Sequence, residues 1–175
     1  MDVGVTESRP DARGLSFDDW AEARVAALLR FGYLVTGSQY AAEDAVQSAL
    51  TRACEKWSRV QAADNPDAYV RRMVVNAHVS GWRKSGRRES PVAEVRDTSQ
   101  ADPVERVVEA DAVWRVCSGL PAQQRAVVVL RFYEDLDYDE IAALLEISPV
   151  SARTYVHRAL TSLRAELTSQ EDGDG

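Results

Sequence analysis

Cysteine, lysine and histidine are scarce in this chain, and long apolar runs are missing. Only two cysteines, Cys54 and Cys117, occur in 175 residues. They lie far apart and match no zinc spacing. A disulfide-stapled secreted scaffold and a zinc finger are thereby excluded, and reduced, buried thiols in a reducing cytoplasm are expected. Apolar stretches such as residues 126–130 stop at five residues, far short of the ~20 that span a bilayer. Residues 1–14 show no basic start followed by an apolar core, so no secretory signal is expected. The two histidines, His78 and His157, stand in no H-E-x-x-H pattern. A phosphate-cradling G-x-x-x-x-G-K-[ST] loop and a nucleophile elbow are also absent. The sequence therefore predicts no enzyme, no cofactor and no metal site. Only Lys56 and Lys84 are lysines among 21 basic residues, an arginine bias of the kind GC-rich genomes produce.

What is present is a globular composition, 45% hydrophobic and 28% charged, with a net charge of −7. The charge is uneven. Residues 66–88 carry six basic side chains against one acid, and residues 89–109 carry six acids against two bases. Residues 147–165 hold Arg153, Arg158 and Arg164 and no acid. Two basic patches thus sit in an acidic body. Each reads either as a solvated helix face or as a local phosphate contact, since screening acts over ~8 Å at physiological salt.

Helix signals recur and no strand-like alternation is seen. Ser16 is placed to cap a first helix, which Gly37 and Ser38 end. In a second helix, Ala42, Val46, Ala49, Ala53 and Trp57 form one apolar stripe. Asn65–Pro66 reads as a cap and first-turn proline for a third helix ending near Ser85. A linker comes next. Asp102, Pro103 and Glu105 then open a helix to about residue 120, and Leu120–Pro121 opens another through Asp135. Asp137 with Glu140 forms a capping box, and Leu136 with Ile141 a hydrophobic staple. Ser148–Pro149 starts a last helix to about Leu167, and a disordered acidic tail is expected after it. The expected fold class is all-α, with two small helical domains joined by an acidic linker. The boundaries read as a flexible 1–14, domains at 15–88 and 103–168, a linker at 89–102 and a tail at 169–175.

A short capped helix, a tight turn and a longer basic helix make a helix-turn-helix. At about 100° per residue, Ala152, Val156, Ala159 and Leu163 fall in one apolar arc. Arg153, Thr154, His157 and Arg158 fall on the far side, groups suited to base edges and phosphates. An ordinary amphipathic helix has the same arc, so angle alone leaves both readings open.

Residues 120–167 resemble the C-terminal domain of extracytoplasmic-function (ECF) sigma factors. Arg125, Leu130, Arg131, Tyr138, Glu140, Ile141, Ala142, Leu145, Ser148, Pro149, His157, Arg158 and Ala159 carry the resemblance. It implies that the last helix reads the minus-thirty-five promoter element through Ser151, Arg153, Thr154, His157 and Arg158. Three features depart from the family pattern: Glu146 replaces a usual glycine, Val150–Ser151–Ala152 stands for Gly-Thr-Val, and Tyr155 replaces a common arginine.

The N-terminal half is similar to the same family. Glu43, Asp44 and Gln47 match its polymerase-binding helix, although helix-start acids also favour the macrodipole without any partner. Residues 65–88 resemble the segment that recognises and melts the minus-ten element, through Tyr69, Val70, Met73, Asn76 and the basic cluster Arg83, Lys84, Arg87 and Arg88. The resemblance implies minus-ten contacts from Asn65, Arg71, Arg72, Asn76 and that cluster, with residues 58–65 forming a pocket for a flipped base. A melted strand needs such a stacking surface and basic track. Tyr69 and Trp82 read also as core residues, and for Tyr69 core packing is the favoured reading. Ser80 stands where the family usually has aspartate. Glu94, Asp97 and Asp102 would mimic RNA in the polymerase channel, or simply solvate a tether.

The implied protein is a cytoplasmic sigma factor that binds the clamp coiled coil and flap of core RNA polymerase and promoter DNA. It is also similar to the actinobacterial SigE-like subfamily. The resemblance raises an anti-sigma factor as a further partner. The alternative is a helix-turn-helix regulator that binds duplex DNA as a dimer without polymerase.

Overall fold

A serine hydroxyl sets the first helix. Ser16 Oγ accepts a hydrogen bond from the Asp19 N–H, and α1 runs over Phe17–Thr36 until Gly37 turns left-handed at φ 71°. In a computed structural model, residues 12, 14–84 and 112–173 are described, and every regular element among them is helical. After α1 come α2 (Gln39–Glu55), α3 (Trp57–Gln61), α4 (Pro66–Lys84) and α5 (Ala112–Cys117). Next is α6 (Ala122–Val128), which widens into a π turn over Val129–Tyr133. The chain closes with α7 (Tyr138–Leu145) and α8 (Pro149–Gly173).

The caps predicted at Ser16, Asn65, Asp137 and Ser148 are in place, Ser38 adds one where the sequence pattern marks only the end of α1, and the start expected at Asp102, Pro103 and Glu105 lies outside the described residues. Ser38 Oγ accepts from Ala41 N–H at the start of α2, and Asn65 Oδ1 accepts from Ala68 N–H at the start of α4. Asp137 and Glu140 close a reciprocal capping box on α7. Ser148 Oγ accepts from Ser151 N–H ahead of α8. Each cap satisfies orphan backbone donors and is worth about 1 kcal/mol.

Helices α1, α2 and α4 pack as one bundle around Trp20, Phe31, Leu34, Val46, Val70 and Val74. Small residues let α1 and α2 approach closely: a Cβ at Gly32 would meet Ala42 Cβ and Val46 Cγ2 at 3.3 Å. Asp67 ties α4 to α1 by accepting from Trp20 Nε1 and pairing with Arg24. Helices α6, α7 and α8 form a second bundle on Val127, Leu130, Ile141, Ala152, Val156 and Ala159.

The structure corrects several expectations. Buried residues of both bundles belong to one contiguous core, with α1 against α6 and α4 against α7, so the two bundles share a seam. Ala12 is buried and its carbonyl accepts from Gln61 Nε2, so the first bundle begins before residue 15. Residues 58–61 are helical in α3, which leaves a shorter loop than 58–65. The helix through Asp135 stops earlier, because the π turn is followed by Asp135 at φ 55°. The last helix continues to Gly173, so residues 168–173 prolong α8 where a disordered tail was expected. Cys117 is buried but Cys54 is exposed, on the side of α2 that borders Phe17 and Ala21 of α1. The linker, with Glu94, Asp97 and Asp102, lies outside the described residues. Among those residues no helix is long and apolar enough to cross a membrane.

Candidate nucleic-acid and polymerase interfaces

The helix-turn-helix is built as its sequence demands. Leu136 and Ile141 are buried beneath the capping box, and Ala152, Val156 and Ala159 seat α8 against α6 and α7. This seating turns Arg153, His157 and Arg158 to solvent along one face. Thr154 and Ser151 are half-buried. The Thr154 hydroxyl donates to the Val150 carbonyl, and the Ser151 hydroxyl lies 2.9 Å from Ser148 Oγ. Arg153 lies 5.3 Å from the Tyr138 ring centroid and Arg131 5.4 Å from the same ring, two cation–π contacts on one aromatic side chain. Glu146 ends α7 at φ 56°, the left-handed position a glycine fills without strain.

On α2, Glu43, Asp44 and Gln47 are all exposed. Glu43 and Gln47 line an open, mostly apolar groove of about 700 Å³ between α1 and α2, and Asp44 lies beside it. Phe17, Ala21, Val25 and Leu29 form one wall, and Val46, Leu50 and Cys54 form the other. Sequence reasoning missed this apolar component. Its signal was the four-residue spacing from Phe17 to Leu29, a second apolar stripe on a helix whose other stripe fills the core.

On α4, Asn76 and Arg72 are exposed, Arg71 is half-buried, and Tyr69 packs on the core. Asn65 is spent in part as the α4 cap. Lys84 and Arg83 end α4, with side chains outside the described residues, as are Arg87 and Arg88. Arg71 Nε stands 2.6 Å from Glu134 Oε1, and Arg72 Nη2 lies 3.3 Å from Glu140 Oε1. Beside them, the half-buried His78 imidazole is held below its usual range, first by desolvation and then by the Arg125 charge. Arg125 itself is 7% exposed and donates from Nη2 to the Thr36 carbonyl. Among the described residues, no group of three or more His, Cys, Asp or Glu is placed to hold a metal ion.

Comparison with known proteins agrees with this layout. Residues 20–88 match the family model for Sigma-70 region 2, and residues 110–163 match that for Sigma-70, region 4. An RNA polymerase sigma-E factor of Streptomyces avermitilis is 32% identical over 157 residues, 90% of this chain and 88% of its own length. The same-named factor of Streptomyces coelicolor is 31% identical over 90% of this chain and 89% of its own. An ECF RNA polymerase sigma factor, SigE, of Mycolicibacterium smegmatis is 28% identical over 85% of this chain and 60% of its own. In fold, the chain is similar to the sigma factor RpoE from Bartonella quintana, solved in complex with the anti-sigma factor NepR. The TM-score is 0.55 at 22% identity, covering 87% of this chain and 96% of that one. Two helical regions in this order, the second a helix-turn-helix, define a sigma-70-type transcription factor. The chain belongs to the ECF sigma factors of RNA polymerase. It serves promoter recognition by the polymerase through regions 2 and 4 and is not an enzyme.

Proposed function

We propose that three faces divide this work. The α1–α2 groove with Glu43, Gln47 and the adjoining Asp44 receives a helix of the polymerase clamp. An apolar furrow bordered by a carboxylate and an amide suits an amphipathic helix. Helix α8 enters the major groove at the minus-thirty-five element and presents Arg153, His157 and Arg158 to bases and phosphates. Ser151 and Thr154 lie at its N-terminal end, where backbone and hydroxyl groups meet the phosphates. Helix α4 and the chain after it track the melted minus-ten strand with Asn65, Arg71, Arg72, Asn76, Arg83, Lys84, Arg87 and Arg88. The protein acts in the cytoplasm, where the polymerase works, and an anti-sigma factor belongs among its partners. The observation that carries this reading is the solvent-facing Arg153–His157–Arg158 surface on a buried, capped helix-turn-helix.

Transcription from fragmented genomic DNA by core polymerase, with and without this protein, tests the reading. New 5′ ends that share two upstream motifs are expected. A duplex footprint by the protein alone, without new starts, would instead indicate the dimeric regulator.

A further inference from the structure

One apolar side chain stands in the middle of the polar face of α8. Val150, in the first turn, is 67% exposed, whereas Ala152, Val156 and Ala159 on the same helix are buried. At about 100° per residue, Arg153, Thr154, His157 and Arg158 all fall within about 80° of Val150, and the three buried residues fall about 120° or more away. Val150 therefore lies on the side of α8 turned furthest from the core. Arg153, His157 and Arg158 are exposed along with it.

A single exposed valine is ordinary on a protein surface. This one differs in where it stands and how it is held. Ser148 Oγ accepts from the Ser151 N–H, and the Val150 carbonyl accepts from the Thr154 hydroxyl, so the backbone is pinned around it. A valine in a helix keeps largely to one χ1 rotamer. Its methyl groups thus form a fixed apolar surface at the N-terminal end of the second helix of a helix-turn-helix, the end that meets base edges. In the major groove, the apolar mark on a base edge is the C5 methyl of thymine. The other bases show donors or acceptors there, which a valine would desolvate and leave unpaired at a cost. Glycine, which the family pattern carries at this position, has no side chain with which to draw that distinction.

We infer that Val150 is a specificity residue of α8: its methyl groups pack on the C5 methyl of one thymine in the minus-thirty-five element. The inference rests on the proposed seating of α8 in the major groove at that element.

The test uses the holoenzyme, core polymerase with the full chain, and duplexes randomised over the upstream element. Selection should enrich a motif with an A·T pair at a defined position. Deoxyuridine then replaces each thymine of the enriched duplex in turn, which deletes only the C5 methyl. One such change should lower affinity about fourfold, the worth of one buried methyl group. Val150→Ala should bind the thymine duplex more weakly by a similar factor and bind the thymine and uracil duplexes equally. Arg158→Ala should weaken both duplexes alike and keep the fourfold ratio between them. Alanine is the better helix former at an exposed position, and helical circular dichroism checks that V150A stays folded. Uracil tolerated at every position, or a uracil penalty that persists in V150A, would overturn the role of Val150 while the enriched motif upholds the seating of α8. Loss of core-polymerase association in V150A, with no methyl-dependent position, would overturn it in favour of a protein contact. A holoenzyme that enriches no motif would overturn the seating of α8 itself, and the role of Val150 with it.

Discussion

Arg71 of α4 and the arginines of α8 face opposite situations. Arg153 and Arg158 stand on an exposed helix face whose underside is sealed by alanine and valine. Arg71 and Arg72 stand on a helix of similar composition but face carboxylates from more than sixty positions away in sequence. Charge density is thus a poor guide to availability. A basic stretch offers its charge to DNA only where the rest of the chain supplies no competing acid, and the acids here come from the other region.

The largest expected effect comes from breaking the seam at its most buried cation. Arg125→Ala removes the bond to Thr36 O and the contact with the Trp114 ring, and should cost about 3 kcal/mol in chemical denaturation. The same truncation at Arg158, on the open face, should leave stability unchanged. It should weaken promoter binding by the holoenzyme by about 1–3 kcal/mol. Core-polymerase association should be retained, as judged by co-purification, whereas D44A/Q47A should reduce that association.

A more graded effect comes from pH. His78 is held neutral in the fold by desolvation and by Arg125, so its folded pKa lies below the unfolded value of about 6.5. Above that value both states are neutral and the group contributes nothing. As pH falls through it, the unfolded chain takes up a proton the folded chain resists, so stability declines. Thermal melts at pH 7.5 and 5.5 should show a smaller drop for His78→Gln than for the wild type. The smallest effect is local to region 4: Glu146→Gly relieves the left-handed φ and should add roughly 0.5 kcal/mol, read as a slightly higher melting temperature.

Local chemistry was legible from the residues. Ser16, Asn65 and Ser148 sit at helix starts as expected, and Asp137 and Glu140 form the expected box, whereas Ser38, read only as ending α1, also caps α2. The apolar arc of α8 faces inward as its angles predict. The seam was not legible, because Arg71, Arg72, Glu134 and Glu140 are ordinary polar positions of amphipathic helices and their pairing spans the linker. The π turn was hidden for a similar reason. Residues 126–133 form a mostly apolar stretch whose pattern does not distinguish an α turn from a π turn. The α1–α2 groove escaped because an apolar stripe on a helix reads as core until a second stripe is seen to fill it.

The most direct measurement is promoter-specific transcription by core polymerase with the wild-type chain and with Arg158→Ala. New 5′ ends that share two upstream motifs are predicted for the wild type, and their loss in the variant while core association is retained. Equal starts from both proteins, or loss of core association together with the starts, would contradict the assignment of α8 to promoter DNA.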